Sequence, residues 1–249
     1  MKVISVINRK GGVGKTTTCD AIASGLTFKG CKVLVLDLDS QANLSVACGF
    51  SEREDKSIYD VLRGKVRLSA CIRDTDRGSF VPGSFDMATL SKSIKVTALR
   101  DILKPYLADY DFVIIDTPPG ESVITQLALA ASDTCIVPAA SDLYSLRGIL
   151  QLNALITFIR EKYNPSLIVA GILLVRHNPR ARISASMSKQ IQDVAIGIGT
   201  KVFESYIREC VAVREACLLQ QGIFKYAPRS NAASDYAGFL LELIFGGRK

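Results

Sequence analysis

The chain has 249 residues, 48% of them hydrophobic, with 31 Lys and Arg against 24 Asp and Glu. That length and apolar content suit one α/β domain over residues 1–249 with a sizeable core, and they exclude a disordered or low-complexity chain. One histidine, His177, and seven scattered cysteines without a C-x-x-C pair exclude imidazole-dependent hydrolysis, a zinc cluster and a redox dithiol, and the thiols are expected to be reduced and mostly buried.

The chain opens on the apolar run Lys2 to Ile7, which predicts a strand. No apolar run reaches the length of a membrane span and no small-residue cleavage site follows Met1-Lys2, so the expected location is the cytoplasm. Asn8 to Thr18 then reads NRKGGVGKTTT, and Cys19 to Phe28 has the spacing of an amphipathic helix. A strand, a glycine turn and a helix in succession aim consecutive backbone N–H groups and a helix N-terminus at one anion. Gly11, Gly12 and Gly14 allow close backbone approach to phosphate, Lys15 supplies a point charge, and the Thr16 hydroxyl suits Mg²⁺. The strict G-x-x-x-x-G-K-[ST] spacing fails at Arg9, and Lys10 has no duty in an ordinary loop of this kind.

After the first helix, Lys32 to Asn43 reads KVLVLDLDSQAN, a continuous aliphatic run ending in acidic residues, the pattern of a buried parallel strand whose carboxyl end opens on a ligand crevice. Alternation puts Asp37 and Asp39 on the same side, where one or both can position water or Mg²⁺. Ser57 to Leu62 and Thr97 to Leu107 read as helices, with Arg73 to Arg77 and Val81-Pro82-Gly83 as turns between them. Phe112 to Asp116 is a second aliphatic strand ending in an acid, and Pro118-Pro119-Gly120 forces the chain out of helix just beyond it. An acid at that point can hold the Mg²⁺ water shell while the following loop senses the terminal phosphate.

Further strands are predicted at Thr134 to Pro138, Ser166 to Val175 and Lys201 to Phe203, and a long helix at Leu143 to Tyr163 with Leu146, Leu150, Ala154 and Phe158 as its apolar face. The expected fold is a doubly wound, mostly parallel sheet with helices on both faces. Residues 151–249 carry 13 Lys and Arg against 7 Asp and Glu, so nearly all the excess positive charge lies in the C-terminal part. A phosphate backbone is the sharper partner that such asymmetry suggests, and solubility is the plainer explanation.

KGGVGKTT at 10–17, LDLDSQAN at 36–43, FVIIDTPPG at 112–120, SLRG at 145–148 and YAPRSNAASDYAGFLLEL at 226–243 resemble the ParA family of deviant Walker A P-loop NTPases and its cousin MinD, nearly end to end. The resemblance implies an ATP-dependent homodimer that partitions DNA with ATP and Mg²⁺, binds double-stranded DNA without sequence preference, and is stimulated by a ParB-like centromere-binding protein. It implies that Lys10 reaches the phosphates of the partner subunit and that Gly11, Gly12, Val13, Gly14, Lys15, Thr16 and Thr17 hold the nucleotide. Asp39 corresponds to the acid that orients attacking water, Thr16, Asp39 and Asp116 to the Mg²⁺ site, and Asn178 to an adenine contact. The Ile207 to Val211 loop resembles the segment closing over adenine, with Arg208 where a proline is usual. Arg180, Arg182, Arg208 and Arg214 are the DNA-binding candidates on the same ground.

Three other functions share this loop. A membrane-recruited regulator similar to MinD needs a basic amphipathic tail, whereas Asp235 to Phe245 reads as a core-packing helix. An iron–sulfur reductase component needs glycine-flanked cysteines that this chain lacks. An ATP-dependent small-molecule synthetase leaves the arginine excess unexplained.

Overall fold

The computed structural model describes residues 2–51, 56–90 and 94–246. Seven strands form one sheet: β1 (Lys2–Val6), β2 (Val33–Asp37), β3 (Arg73–Thr75), β4 (Gly78–Val81), β5 (Phe112–Asp116), β6 (Thr134–Ala139) and β7 (Ile168–Leu174). Their order is β3-β4-β2-β5-β1-β6-β7, parallel throughout except for the antiparallel β3–β4 pair at one edge. β1 sits between β5 and β6, with Val6 opposite Asp116 on one side and Ile136 on the other. The chain leaves β1 toward β2 in one direction and reaches β6 in the other, so the carboxyl end of β1 opens where the winding reverses, the place at which open α/β sheets form a ligand crevice.

The aliphatic strands are buried on both faces, as parallel strands require. Ile4, Val6, Val33, Val35, Ile114, Ile136 and Leu173 face one layer, packed by α1 (Lys15–Phe28), α2 (Asn43–Ala47), α8 (Val211–Leu218), α9 (Ile223–Tyr226) and α10 (Asn231–Phe245). Their alternates split into two clusters on the other face. Val3, Leu34, Leu36, Val113 and Ile115 pack against α3 (Ile58–Leu62), α4 (Ala98–Leu103) and α5 (Val123–Ala131). Cys135, Val137, Ile172 and Leu174 pack against α6 (Leu143–Lys162) and α7 (Arg182–Gly197).

The terminal helix α10 lies on α1 and buries Tyr236, Phe239, Leu240 and Leu243. Gly25 is what lets the two helices approach: a Cβ there would come within 2.4 Å of a Leu240 methyl and 2.7 Å of the Phe224 ring. Gly25→Ala is therefore expected to destabilise by about 1–2 kcal/mol, overpacking outweighing the gain in helix propensity. Urea unfolding monitored by circular dichroism reads the change, and a stability equal to or above wild type would refute this packing.

Three predicted features differ in the structure. Residues 73–81, expected to be turn and irregular chain, form the β3–β4 hairpin, and its turn residue Arg77 is only 1% exposed. Besides the adjacent Asp76, its partners are remote in sequence, on α1 and in the loop after α8, so no local pattern reports them. Lys201 to Phe203 makes a single bridge, Val202 to Ile172, in place of a strand. The long helix α6 forms, but its buried face is Ser145, Gly148, Ile149, Leu152, Leu155, Ile156 and Ile159, while Leu150 and Phe158 are 50% and 40% exposed. Apolar residues surround this helix, so two stripes satisfy the helical period. The buried stripe packs against β6 and β7 in one cluster, and its first turns lie near Asn8, 3.5 Å from where a Cβ at Gly148 would stand.

All seven cysteines are free, with Cys19, Cys71 and Cys135 buried and Cys217 exposed. His177, which lies in a polar stretch of sequence, is buried: Nδ1 pairs with the Ser141 hydroxyl at 2.7 Å and the ring meets Tyr206 edge-on at 5.0 Å. Burial lowers its pKa.

Candidate functional site

The loop between β1 and α1 wraps the carboxyl end of the sheet. Gly12 and Gly14 take φ of 69° and 79°, a region costly for side-chain-bearing residues, and Gly14 caps α1 from that conformation. Among the described residues, the N–H groups of Gly11, Gly12 and Gly14 have no acceptor, and the turn over Gly11 and Gly12 brings the Val13 N–H back toward the Lys10 carbonyl. A run of unpaired donors ahead of a helix N-terminus forms an anion cradle.

Lys15 opens α1 and is buried, with Nζ donating to the Lys10 carbonyl at 3.2 Å. Burial lowers its pKa, and the carboxylates of Asp116 and Asp39 work against that shift. Asp116 ends β5, and Asp39 lies two residues beyond the end of the neighbouring β2, where Asp37 pairs with Asp116. Asp37 and Asp39 divide their work. Asp37 Oδ2 accepts from the Ser45 N–H at 2.9 Å and hydroxyl at 2.7 Å, and Oδ1 accepts from the Asp39 N–H, so Asp37 is spent on holding the loop. Asp39 lines the cavity above it.

Asp116, at the end of β5, is fully buried; Oδ1 accepts from the Thr117 N–H at 3.0 Å, and Oδ2 has no partner. Burial first, then the Asp37 carboxylate, pushes its pKa well up, with the Thr16 side chain opposing. An orphaned, buried carboxylate oxygen beside Thr16 and Asp39 is the donor set that a hydrated divalent cation of hard character would satisfy. The residues present fit Mg²⁺.

Gly11, Gly12, Gly14 to Thr17 and Asp39 border a cavity of about 530 Å³, lined also by Gln41, Asn43, Pro119, Val175, Arg176, Ile207 to Cys210, Val213, Arg214 and Tyr236. Its size suits a small organic ligand. Its anion cradle and cation-binding acids lie at the end formed by the β1–α1 loop, while Val175, Ile207 and Val213 supply apolar wall.

The Lys10 side chain is directed to α6. Nζ pairs with Asp142 Oδ2 at 2.7 Å and lies 5.6 Å over the Tyr144 ring, at the N-terminus of that helix. Burial resists ionisation of Asp142, but the bond from Lys10 and the Ser145 N–H outweigh it and hold its carboxyl below the usual range. Arg9, where an ordinary loop has glycine, bridges to the loop after β5: its carbonyl accepts from the Gly120 N–H and Nη1 pairs with Glu121 at 2.5 Å.

The four arginines predicted to meet DNA separate into two places. Arg180 and Arg182 are exposed after β7, at the start of α7. Arg208 and Arg214 line the cavity, and Arg208 is clamped by Asp235, with Nε at 2.9 Å from Oδ2 and Nη2 at 2.6 Å from Oδ1. Asn178, predicted to contact adenine, is exposed and absent from the cavity lining; its Oδ1 accepts from the Arg180 N–H at 3.1 Å. Arg176 lines the cavity in its place, with the left-handed φ of 50° that side-chain-bearing residues rarely adopt. Its neighbours in the R-H-N-P segment drew attention in the sequence, but backbone strain leaves no mark there. Asp142 and Tyr144 were equally silent, since only the packing of α6 brings them to Lys10.

Fold and loop together define a P-loop nucleotide-binding protein of the deviant Walker class. Residues 1–169 match the AAA_31 family, an AAA domain. The chromosome-partitioning ATPase Soj of Thermus thermophilus is 34% identical over 97% of this chain and 94% of its own length. The chromosome partitioning protein ParA of Caulobacter vibrioides is 31% identical over 98% and 94%. Among solved structures, cobyrinic acid a,c-diamide synthase of Mycobacterium smegmatis with bound ADP and magnesium superposes with a TM-score of 0.84 at 30% identity, covering 100% of this chain and 97% of that one. The chain belongs to the ParA/MinD family of P-loop ATPases.

Proposed function

We propose that this protein is a Mg²⁺-dependent ATPase that partitions DNA. The observation that carries the reading is the convergence of the glycine loop, Lys15, Thr16 and Asp39 on one cavity, together with the buried Asp116 carboxylate, which interacts with Thr16, Asp39 and Lys15 and whose Oδ2 has no partner. The donors at residues 11–14 and Lys15 would bind the phosphates and Thr17 would lie in the same first helical turn; Thr16, Asp39 and Asp116 would hold Mg²⁺. The metal, when bound there, neutralises phosphate charge. Asp39, at the cavity rim, would orient the attacking water, and the Gly120 loop would follow the state of the terminal phosphate.

Lys10 points away from its own cavity, which supports a role toward a second subunit: released from Asp142, it would reach the phosphates held by the partner in an ATP-dependent homodimer. Arg180 and Arg182, exposed and unpaired with any carboxylate among the described residues, would present positive charge to double-stranded DNA. Arg208 and Arg214 belong with the nucleotide in this reading, so that their replacement would weaken ATP binding before it touched DNA. A ParB-like centromere-binding protein would stimulate hydrolysis and release the DNA. Family membership, the basic C-terminal part and the relatives' roles in chromosome partition support this reading.

ATP-dependent DNA binding should fall steeply with salt and barely depend on sequence, and the double variant Arg180→Ala/Arg182→Ala should reduce the slope of log affinity against log salt by about two per bound protomer. Filter binding or fluorescence anisotropy between 50 and about 300 mM salt measures this. Binding that ignores salt, or that is as tight with ADP as with ATP, would refute the DNA role.

A MinD-like membrane role is the second reading of the family. α10 buries its apolar face on α1, which favours the partition role. Co-sedimentation with anionic liposomes only in the presence of ATP would reverse that preference.

A further inference from the structure

The geometry points to Arg176 as the residue that sets the phosphate cradle for use, a positioning role that rests on the nucleotide reading of the cavity. Three observations converge on it. Its guanidinium Nη2 donates to the Gly12 carbonyl at 3.0 Å, linking the end of β7 to a loop 164 residues earlier. It lines the cavity and has no carboxylate partner among the described residues, unlike Arg208, whose charge Asp235 answers. Its backbone is held at a φ of 50°.

That conformation is imposed from both sides. The Val175 N–H donates to the Ala139 carbonyl, and the His177 N–H donates to the Ile207 carbonyl, at 2.9 and 3.0 Å. His177 is further pinned by Ser141 and Tyr206. Between these anchors the chain must reverse, and the left-handed turn at Arg176 is what swings its side chain over the glycine loop. Strain maintained by its surroundings is a recurrent property of functional sites.

The bond to Gly12 matters because a peptide unit is planar and trans: the Gly12 carbonyl and the Val13 N–H belong to one unit and point in opposite directions. Anchoring the carbonyl on Arg176 fixes the orientation of this peptide, and with it the direction of the Val13 N–H within the loop. Val13 itself is buried, so the unit is held at both ends. Glycines on either side, Gly12 and Gly14, make this loop easy to turn, and without Arg176 that peptide is free to flip. Arg176 thus orders the donors before the nucleotide arrives, and contributes one uncompensated positive charge to the cavity.

The test compares wild type, Arg176→Ala, Arg176→Lys and Arg176→Gly in titrations with Mg-ADP and with AMP, with thermal unfolding of each ligand-free protein alongside. Arg176→Ala is expected to weaken ADP about tenfold, the scale of a lost charged hydrogen bond, and AMP far less, because the cradle serves the second phosphate. Arg176→Gly, which accepts the left-handed turn without strain, should lose ADP affinity to the same degree although its ligand-free form melts no lower than wild type. Arg176→Lys should recover part of the loss. Wild-type ADP affinity in the Ala variant, or equal losses for ADP and AMP, would overturn the inference while leaving the nucleotide reading intact. Failure of the wild-type protein to bind ADP at all would remove both.

Discussion

Lys15→Ala is expected to weaken ATP binding by roughly a hundredfold, because a buried cation aimed at phosphate has no substitute in the loop. Asp39→Ala should behave oppositely: ATP stays bound, the dimer persists, and turnover falls by about two to four orders of magnitude, as expected for loss of a group that positions the attacking water. The difference follows from charge: both side chains are buried and both line the cavity, but Lys15 is a cation that phosphate would meet, whereas Asp39 is an acid facing the cavity while Asp37 takes up the Ser45 bonds. Equilibrium binding of a fluorescent ATP analogue, phosphate release and sedimentation velocity separate the two variants. Normal turnover by the Asp39 variant, or normal affinity in the Lys15 variant, would show that the site has been assigned wrongly.

Arg77→Ala is expected to cost about 3–5 kcal/mol of stability, the range for breaking a buried ion pair from one side. The Arg77 guanidinium is enclosed: Nε pairs with Asp20 at 2.6 Å, and Nη1 with Asp76 at 2.6 Å and the Gln220 carbonyl at 2.8 Å. Asp76 also accepts from the Gly222 N–H, so one side chain ties the β3–β4 hairpin, α1 and the loop ahead of α9 together. Burial raises the Asp20 carboxyl even with Arg77 beside it, and Nη2 has no partner, so the network is not fully compensated. The double variant Arg77→Met/Asp20→Asn should therefore be less damaging than Arg77→Ala alone, since replacing a buried pair is gentler than stranding one charge. Urea unfolding of the three proteins measures it. A loss below about 1 kcal/mol for Arg77→Ala, the level of a surface pair, would refute the structural weight given to this network.

This network and the nucleotide site were unequally visible beforehand. The loop at residues 8–18, the acids at the ends of two aliphatic strands and the parallel doubly wound sheet follow from short-range pattern. A glycine turn between a strand and a helix has one chemical use at that spacing, and buried parallel strands can be built only from runs such as those at 33–37 and 112–116. Even the spare lysine at position 10 could be noticed from the loop alone.

The tertiary structure decided what depends on rotation and on partners far along the chain. Of two apolar stripes, α6 buries the one through Ile149, Leu152, Leu155, Ile156 and Ile159 against β6 and β7. Asp37 and Asp39 look alike in sequence, and only Ser45 distinguishes the structural acid from the one facing the cavity. Arg208 and Arg214 line the cavity, Arg180 and Arg182 face out, and Asn178 lies off the wall where Arg176 stands. The physical reason is common to all of these: local spacing specifies which backbone donors, acids and apolar runs a segment can offer, but burial and charge pairing are settled by what the fold places beside each side chain, whether Ser45 eight residues beyond Asp37 or Gly12 164 residues before Arg176. Sequence alone therefore determined the kind of ligand this protein is built for, while packing determined which of its arginines and acids attend to it.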